Sequence, residues 1–536
     1  MRNLRIDPAT LARAAVVVLS LLATAALPAK TLRWSSRGDA QSMDPYAANE
    51  NVTYNLVRLS YEGLVRRGDA GEIAPALATG WQAIDPRTWR FTLRANVRFQ
   101  DGTPFTADDA VFSIERAQQA SSQIAQYARR LGKPVALDPR TVDLRLSAPD
   151  PLLLEHLDTI AMMSRAWCVA HGAERVPAYN AHEEGWSSMH AMGTGAYVLV
   201  RREPGTRTIY ERNPDWWGWK SDPAPGNVTR VEFVPITNDA TRMAALLSGD
   251  LDLIQGVPPQ DQPRVAGNPA LRLSAGPENR IIFLGFDQAS PELAFASVKG
   301  RNPFRDVRVR QAFDQAIDAG VLKSKIMRGL SVPTACLTTA AVGCTAPELE
   351  TRPPADVGEA RRLMAAAGYG DGFDLTLDCP NDRYVNDQEL CIAIGGMLAR
   401  IGVRIRVDAR PKALYFPRVQ RHETSFYLYG WGGGITDAQI VLDPIVHSFD
   451  AATQKGGDNN GGLADAALDR LIDEAAVDTD PSHRGATLAA ALRHVHEQAE
   501  YIPLHRQMLL WASRAKVRPV MRPDDLVFPQ WLQIDD

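Results

Sequence analysis

The sequence predicts an α/β protein whose sheets are mixed or largely parallel. Short segments with strand character alternate with helix-periodic segments, and modest loops connect them. The chain has 536 residues, too many for one ordinary hydrophobic core, so two or three domains are expected. No repeat of roughly 20 to 50 residues is visible, which argues against a solenoid. No low-complexity linker divides the chain, so we expect the domains to be interleaved.

In the first half of the chain, local signals place strands and helices in turn. The segment WRFTL at 89–93 alternates apolar and other side chains, as a half-buried strand does. The Asp-Gly pair within 98–105 then indicates a tight turn. Thr106 is the expected N-cap of the following helix, with Asp109 at its third position. The expected strands are 32–35, 89–93, 141–146, 196–201, 231–235 and 251–254. The expected helices are 107–117 and 239–248.

The most regular helical signal opens the second half of the chain. From Val307 onwards the apolar residues recur three and four positions apart, and Asp306 is the expected N-cap because its carboxylate can accept a free helical N–H. Further helices are expected at 356–367, 387–401, 464–476 and 482–499. Strands are expected at 280–286, 373–377, 403–408 and 425–430, and an apolar segment covers 501–511.

The first residues differ in character from the rest of the chain. Three arginines precede the apolar run 14–27, and Pro28-Ala29 leads into a polar strand. The run has roughly 14 residues, fewer than the about 20 that a bilayer span needs. This order is typical of a secretory signal peptide, with a buried core helix as the alternative. We therefore expect residues 1–29 to be removed and the mature protein to work in the periplasm, without a lipid anchor because no cysteine lies near the exit.

The composition narrows the class of partner. Hydrophobic residues make up 45% and charged residues 23% of the chain, as in an ordinary soluble globular protein. The formal net charge is −4, and no basic block of the kind that follows a phosphate backbone is present. Nucleic acid is therefore not expected as a partner.

The five cysteines fit an oxidising compartment, which permits disulfides. Cys336 and Cys344 are close in sequence, as are Cys379 and Cys391, and each pair can close a short loop; Cys168 is left over. Metal binding is the alternative, but the chain has no C-x-x-C motif and no cysteine spacing suited to zinc. We expect two local disulfides and one buried thiol.

Several segments together carry a resemblance to one family. Residues 302–330, NPFRDVRVRQAFDQAIDAGVLKSKIMRGL, contain the pattern PF-D-RVRQA-AID. The other matching segments are WRFTLRANVRFQDGTPFTADDAVFSIERA, GTGAYVL followed by ERNPDWWG, TRMAALLSGDLDLI, LARIGVRIRV and EYIPLHRQ. In this order they resemble the peptide/nickel-type (family 5, dipeptide/oligopeptide-binding-like) extracytoplasmic solute-binding proteins of ABC importers. The resemblance extends from about residue 32 to about residue 511.

The resemblance implies a periplasmic binding protein-like α/β fold with two lobes, three interleaved domains, mixed β-sheets and a central ligand cleft. One lobe would join a discontinuous domain (30–60, 190–270 and 503–536) to a second domain (61–189), and the other lobe would be 271–502. It implies a monomer that closes on a small-molecule or peptide ligand and delivers it to inner-membrane ABC permease subunits. No cofactor, bound metal or catalysis is expected. A ligand sensor for a membrane kinase or a chaperone-like binding protein would share this sequence.

The loop between strand 373–377 and helix 387–401 is the first expected ligand contact. It lies at the carboxyl end of a strand, where α/β proteins form ligand crevices. Dipeptide-binding relatives hold the ligand carboxylate with an arginine of this loop, and Arg383 is the matching position, with Tyr384 and Asn386 expected beside it. A guanidinium suits a carboxylate because two parallel N–H bonds form at once. The alternative for Arg383 is a solvated loop arginine.

The second expected contact is the segment GWGGGITD at 430–437. Peptide-binding members carry an Asp three residues beyond this Trp to bind the ligand α-amine, and here that position is Gly434. Because an unpaired ammonium in a closed cleft is costly, either Asp437 replaces the lost carboxylate or the ligand has no free amine there, and we favour the second. Gly433 and Gly434 let a backbone approach the ligand closely. Trp431 either forms an apolar wall or packs under the loop.

The loop 36–49 is expected to add contacts from the opposite lobe, with Met43 and Tyr46 as members. A secreted hydrolase is the rival class of protein. The chain has no G-x-S-x-G nucleophile motif and no H-E-x-x-H zinc motif. His494 and His496 lie two apart in a helical segment, so their side chains point apart and do not form a joint metal site.

Overall fold

The structure is a computed structural model that describes residues 30–68, 71–221, 225–339, 342–432, 437–451 and 453–536. The predicted signal peptide, residues 1–29, lies outside these residues. Within them, no helix has both the length and the apolar character needed to cross a bilayer.

The strands are distributed along the whole described chain. They are β1 Thr31–Ser35, β2 Val65–Arg67, β3 Ile73–Pro75, β4 Ala78–Asp85, β5 Thr88–Leu93, β6 Lys133–Asp138, β7 Thr141–Arg145, β8 Tyr197–Glu203, β9 Arg207–Arg212, β10 Arg230–Phe233, β11 Leu253–Gln255, β12 Leu271–Phe286, β13 Ser331–Pro333, β14 Phe373–Pro380, β15 Val403–Arg410, β16 Phe426–Gly432, β17 Ile502–Arg514, β18 Val517–Arg518 and β19 Gln533–Ile534.

Helices alternate with these strands. Those of six or more described residues are α1 Asn51–Ser60, α2 Ala107–Ala117, α3 Ala125–Arg130, α4 Leu153–Asp158, α5 Arg165–Ala170, α6 Asp239–Ser248, α7 Val307–Ala316, α8 Val357–Ala366, α9 Asp387–Leu398, α10 Lys412–Gln420, α11 Ala466–Ala475 and α12 Pro481–Glu497.

The structure confirms the predicted alternation and both predicted caps. Asp306 accepts a hydrogen bond from the backbone N–H of Arg308 at 3.0 Å, and the backbone N–H of Thr106 donates to Asp109 at 2.9 Å. The apolar segment 501–511 is a strand, β17, and β12 begins well before its predicted start. Helix α1 was not predicted, because its sequence, NVTYNLVRLS, mixes polar and β-branched residues and has a weak helix propensity. Packing of its apolar side chains in the lobe 1 core stabilises the helix instead.

One mixed sheet extends through the molecule. Its strand order is β15-β14-β16-β12-β17-β11-β1-β10-β9-β8, with β13 paired to β17. Strand β14 pairs in parallel with β15 and β16, and β1 pairs in parallel with β10 and β11. A separate antiparallel sheet has the order β4-β5-β7-β6. The mixed sheet agrees with the predicted class.

Separate hydrophobic cores define two lobes. Lobe 1 packs on a core drawn from residues between 32 and 253 and again between 511 and 534. Lobe 2 packs on two cores drawn from residues between 281 and 504. Alternate residues of β12 enter these two cores, Ile282 in one and Phe283 in the other, as expected for a strand buried on both faces.

Strands β12 and β17 connect the lobes. They pair in antiparallel fashion, and the register shifts between Pro277 and Ile281. Residues of β12 before the shift pack with lobe 1 elements, and those after it belong to the cores of lobe 2. The irregular stretch carries Glu278, Asn279 and Arg280, which all line the cavity described below.

The cysteines differ from the prediction at one pair. Cys336 and Cys344 form the expected disulfide, and Cys168 is the expected buried thiol. The predicted bridge between Cys379 and Cys391 is wrong, because both are free thiols in the lobe 2 core and hydrogen-bond to each other. Burial raises the pKa of Cys391, which keeps the thiol protonated and slow to oxidise.

Candidate ligand-binding site

A cavity of about 1360 Å³ lies between the two lobes. Both lobes and the strand β12 that joins them contribute to its wall. Most of the lining residues from lobe 1 fall within 41–67, 120–130, 147–159 and 522–531, and Ala76, Tyr179, Ala196 and Trp216 complete them; those from lobe 2 fall within 383–384, 416–432 and 440–458. A volume of this size accommodates a small organic solute or a short peptide.

The loop between β14 and α9 is folded by its own polar groups. The carboxylate of Asp387 accepts the backbone N–H groups of Arg383 at 2.9 Å and Tyr384 at 3.0 Å. Asn386 adopts a left-handed conformation with φ of 54°, and its side-chain amide donates to the carbonyl of Ile326 at 2.9 Å. Burial raises the pKa of Asp387 to about 6 although the N–H bonds oppose the rise. These contacts fix the direction in which Arg383 leaves the backbone.

The positively charged side chain of Arg383 forms part of the cavity wall. Its side chain is half-buried and lies 5.3 Å from the ring centre of Tyr384. No carboxylate of the described residues forms an ion pair with its guanidinium, so its hydrogen-bonding capacity is open to a ligand. Other cavity arginines are engaged in ion pairs, namely Arg58 with Asp158, Arg280 with Glu278 and Arg522 with Asp524.

The ring of Tyr384 packs against the backbone of Gly430, next to the Arg383 side chain. The Tyr384 side chain is buried, and its hydroxyl donates to the Gly430 carbonyl at 3.3 Å. A Cβ on Gly430 would lie 2.7 Å from the Tyr384 ring and 2.8 Å from Ile282, so only glycine allows the ring to lie here. Gly430, the glycine of the Gly-Trp motif, therefore allows Tyr384 to pack beneath the loop that carries Arg383.

A buried polar network lies at the junction of the lobes, in and beside β12. Glu278 and Arg280 form an ion pair at 2.7 Å, and Gln507 donates to Glu278 at 2.6 Å. Asp525 lies close by and accepts a hydrogen bond from the indole N–H of Trp511 at 2.7 Å. Burial and the charge of Glu278 raise the pKa of Asp525 to about 7. Sequence patterns gave no signal for this network, since its members come from three distant segments.

The segment around Trp431 is partly described. Trp431 lines the cavity, and its indole N–H donates to the Ile440 carbonyl at 2.8 Å. Asp437 is held in a two-pronged ion pair by Arg484, with N–O distances of 2.6 and 2.8 Å. Its carboxylate is therefore engaged within lobe 2 and is absent from the cavity lining. Gly433 and Gly434 lie outside the described residues.

Three other predicted contacts lie away from the cavity lining. Met43 and Tyr46 are buried in the lobe 1 core, and the Tyr46 hydroxyl donates to the Ala161 carbonyl. The side chain of Asn386 is engaged with Ile326, as described above. Their loops do reach the cavity, through Gln41, Ala48, Asn49, Arg383 and Tyr384.

Sequence reasoning missed Asp458, a carboxylate in the lobe 2 wall of the cavity. Its residue is partly buried, and burial raises the pKa of the carboxyl to about 6. Tyr429 hydrogen-bonds to it. The surrounding sequence, GGDNNGG, is typical of a loop and gives no sign of a ligand contact.

One cluster outside the cavity has donor atoms suited to a metal. Asp465, His494 and Glu500 place one such atom each within 4.8 Å of one another. Asp465 caps helix α11 and pairs with His494 at 2.7 Å, and Glu500 pairs with Arg310 at 3.2 Å. These partners account for the cluster as part of the packing of lobe 2.

The sequence profile of the bacterial extracellular solute-binding proteins, family 5 (middle region), matches residues 72–453. This match covers well over half of the chain. The chain belongs to this family. The predicted family, the two-lobed α/β fold and the role as a solute-binding component of an ABC importer are therefore confirmed.

Individual members of the family are similar along nearly their whole length. The periplasmic murein peptide-binding protein MppA of Escherichia coli is 24% identical over 528 residues, which cover 93% of this chain and 92% of that protein. The glutathione-binding protein GsiB of Salmonella typhimurium is 25% identical over 510 residues, covering 92% of each. The structure of the periplasmic binding protein DppA from Helicobacter pylori in complex with peptide STSA has a TM-score of 0.79 at 21% identity, covering 94% of this chain and 98% of that chain.

Proposed function

We propose that this family 5 protein captures a small anionic solute, with peptides and peptide-like compounds as the leading class, in the cavity between its lobes. The relatives MppA and GsiB are named as murein peptide-binding and glutathione-binding proteins, which supports this class of ligand. The solute would be passed to inner-membrane ABC permease subunits. We place the mature protein in the periplasm, after removal of residues 1–29.

The observation that carries the proposal is the open guanidinium of Arg383. It lies in the wall of a cavity large enough for a short peptide, on a loop whose backbone is fixed by Asp387. A carboxylate that accepts both guanidinium N–H groups gains strong charge-assisted hydrogen bonds. Since the loop is already ordered by its own contacts, little further ordering is needed when the ligand arrives.

We propose reversible closure as the mechanism, with no covalent bond made or broken. Support comes from an ion pair across the cleft, in which Arg130 of lobe 1 contacts Asp443 of lobe 2 at 3.0 Å. The lobes are joined through β12 and β17, where the irregular pairing offers a place for bending. The proposed domains are 30–60 with 190–270 and 503–536, then 61–189, and finally 271–502.

The direct test replaces Arg383 and measures the affinity for peptides. We expect Arg383→Ala to weaken binding of short peptides with a free carboxyl terminus by about 1.5–3 kcal/mol, or about 10- to 150-fold, because a hydrogen-bonded charge pair is lost. The affinity of Arg383→Lys should lie between those of wild type and Arg383→Ala, because an ammonium keeps the charge but cannot form the two parallel bonds. Isothermal titration calorimetry with a set of di- and tripeptides, reduced glutathione included, measures each dissociation constant.

A matched control is Arg129→Ala, which removes the same charge from the opposite, lobe 1 wall of the cavity. Equal weakening by both variants would show that only the overall positive potential matters. An unchanged dissociation constant for Arg383→Ala would remove this residue from the site. Peptide amides without the terminal carboxylate should bind wild type and Arg383→Ala alike.

A further inference from the structure

Among the described residues of the cavity wall, Asp458 is a carboxylate that the anion-binding role leaves unexplained. Its carboxylate lines the cavity and has the Tyr429 hydroxyl as a hydrogen-bond partner. No Lys, Arg or His among the described residues forms an ion pair with it. A carboxylate drawn out of water without a cation is unfavourable, so its position calls for a partner that arrives from outside.

The other carboxylates of the wall are each accounted for by a contact within the protein. Glu62 accepts hydrogen bonds from Thr194 and from two tryptophan side chains, and Glu50 caps helix α1. The remaining acidic residues are paired as Asp158 with Arg58, Glu278 with Arg280, Asp524 with Arg522 and Asp150 with His156. Among the described residues, Asp458 has no cation or helix N-terminus beside it, and Tyr429 is its side-chain hydrogen-bond partner, whereas Glu62 has three side-chain donors.

Aromatic side chains surround the same part of the cavity. Tyr429 and Trp431 stack in lobe 2 with ring centres 6.5 Å apart, and both line the cavity. Tyr127 lines the cavity from lobe 1, and burial, with a smaller contribution from the charge of Asp458, raises the pKa of Tyr127 to about 12. Aromatic faces next to a carboxylate attract an organic cation.

The position of Asp458 is fixed before any ligand binds. Its backbone N–H donates to the Pro444 carbonyl at 2.8 Å, and its own carbonyl accepts the N–H of Asn460 at 2.9 Å. The next residue, Asn459, is buried and bridges the carbonyls of His447 and Leu463. The loop therefore presents the carboxylate in a set position, as a specific contact requires.

We propose that Asp458 is the counter-ion for an ammonium group of the ligand, and that the ligand is therefore a zwitterion whose carboxylate is held by Arg383. This inference rests on the proposed function, whose cavity and cation it shares. It reverses the expectation that the ligand lacks an amine, which followed from Gly434. Asp437 does not compensate for that glycine because Arg484 holds it. Asp458 provides a carboxylate from a different loop.

The test compares peptides that differ only in the amine. Tri-alanine and N-acetyl-tri-alanine, within a wider set of free and N-acetylated di- and tripeptides, are titrated into wild type, Asp458→Asn and Arg383→Ala by calorimetry. We expect wild type to prefer the free amine at least tenfold. Asp458→Asn should lose this preference and bind the N-acetylated forms as wild type does, while Arg383→Ala weakens both forms.

The possible results distinguish a failure of this inference from a failure of the proposed function. If wild type binds the N-acetylated forms as tightly as the free ones, Asp458 is not an ammonium site, although the Arg383 result can still support peptide capture. If Asp458→Asn keeps the preference for the free amine, the inference is likewise overturned. If wild type binds no member of the set, both the peptide class and this inference fail. Unchanged affinity of Asp458→Asn for the N-acetylated forms also proves that the variant is folded.

Discussion

The strongest structural prediction concerns a fully buried ion pair in lobe 1. Asp44, in the loop after β1, pairs with Arg116 of helix α2, and both side chains have 0% exposure. One of the N–O contacts is 3.0 Å long. Arg116 also donates to the carbonyls of Ala173 at 2.9 Å and Arg175 at 3.2 Å. The pair ties together segments 72 residues apart.

We predict that Asp44→Asn lowers the free energy of unfolding of lobe 1 by about 3 kcal/mol. Leaving one member of a buried pair without its partner costs about 3–5 kcal/mol. The lower end applies because Arg116 keeps the two carbonyl acceptors and the amide of Asn can still accept one hydrogen bond. Adding Arg116→Met removes the stranded charge, so the double variant should be more stable than Asp44→Asn.

Urea unfolding followed by tryptophan fluorescence measures this change. The transition of lobe 1 should move, and that of lobe 2 should not, because both partners belong to lobe 1. The control is Asp374→Asn, which alters an exposed pair with Arg404 and should cost less than about 1 kcal/mol. A loss below about 1 kcal/mol for Asp44→Asn, or a double variant less stable than the single one, would refute the reasoning.

Two further predictions concern closure of the lobes and acid stability. Arg130→Gln and Asp443→Asn should each weaken peptide binding by about 1.4- to 5-fold, because this partly exposed cross-lobe pair contributes about 0.2–1 kcal/mol to the closed form. In calorimetry the double variant should bind no more weakly than either single variant, and additive losses would contradict the coupling. Burial lowers the pKa of His505 to about 4 from an ordinary 6.5. The unfolded chain therefore takes up a proton that the folded chain does not as the pH falls from 6.5 to 4, and stability is lost in that window. Urea unfolding at pH 7 and pH 4 measures this loss, and His505→Gln should reduce it by up to ~3 kcal/mol. If the free energy of unfolding of His505→Gln falls between the two pH values as much as that of wild type, the burial argument is contradicted.

The sequence was most informative where structure depends on neighbours along the chain. The caps at Thr106 and Asp306 need partners only two or three residues away, and both formed as predicted. The loop with Arg383 was located because it follows a strand and precedes a helix. Its contribution to the cavity wall follows from that local order, since loops at strand ends meet at one edge of a sheet.

Prediction failed where a contact joins distant segments. The spacing of Cys379 and Cys391 was compatible with a bridge, yet strand β14 and helix α9 keep them as buried thiols in the lobe 2 core. Met43 and Tyr46 lie in a loop that reaches the cavity, but their large apolar side chains gain more from the lobe 1 core. No local pattern distinguishes a core-facing from a cavity-facing residue in such a loop.

By itself, the sequence determined the family, the α/β class, the order of most strands and helices and the loop that carries the cavity cation. Those features follow from periodicity, capping and short motifs, all of which act over a few residues. Only the tertiary structure decided which charges are satisfied: Asp437 is paired with Arg484, whereas Asp458 and Arg383 remain open to the cavity. The reason is that an ion pair depends on where distant segments meet, and a buried charge is stable only when something from another part of the fold, or a ligand, compensates it.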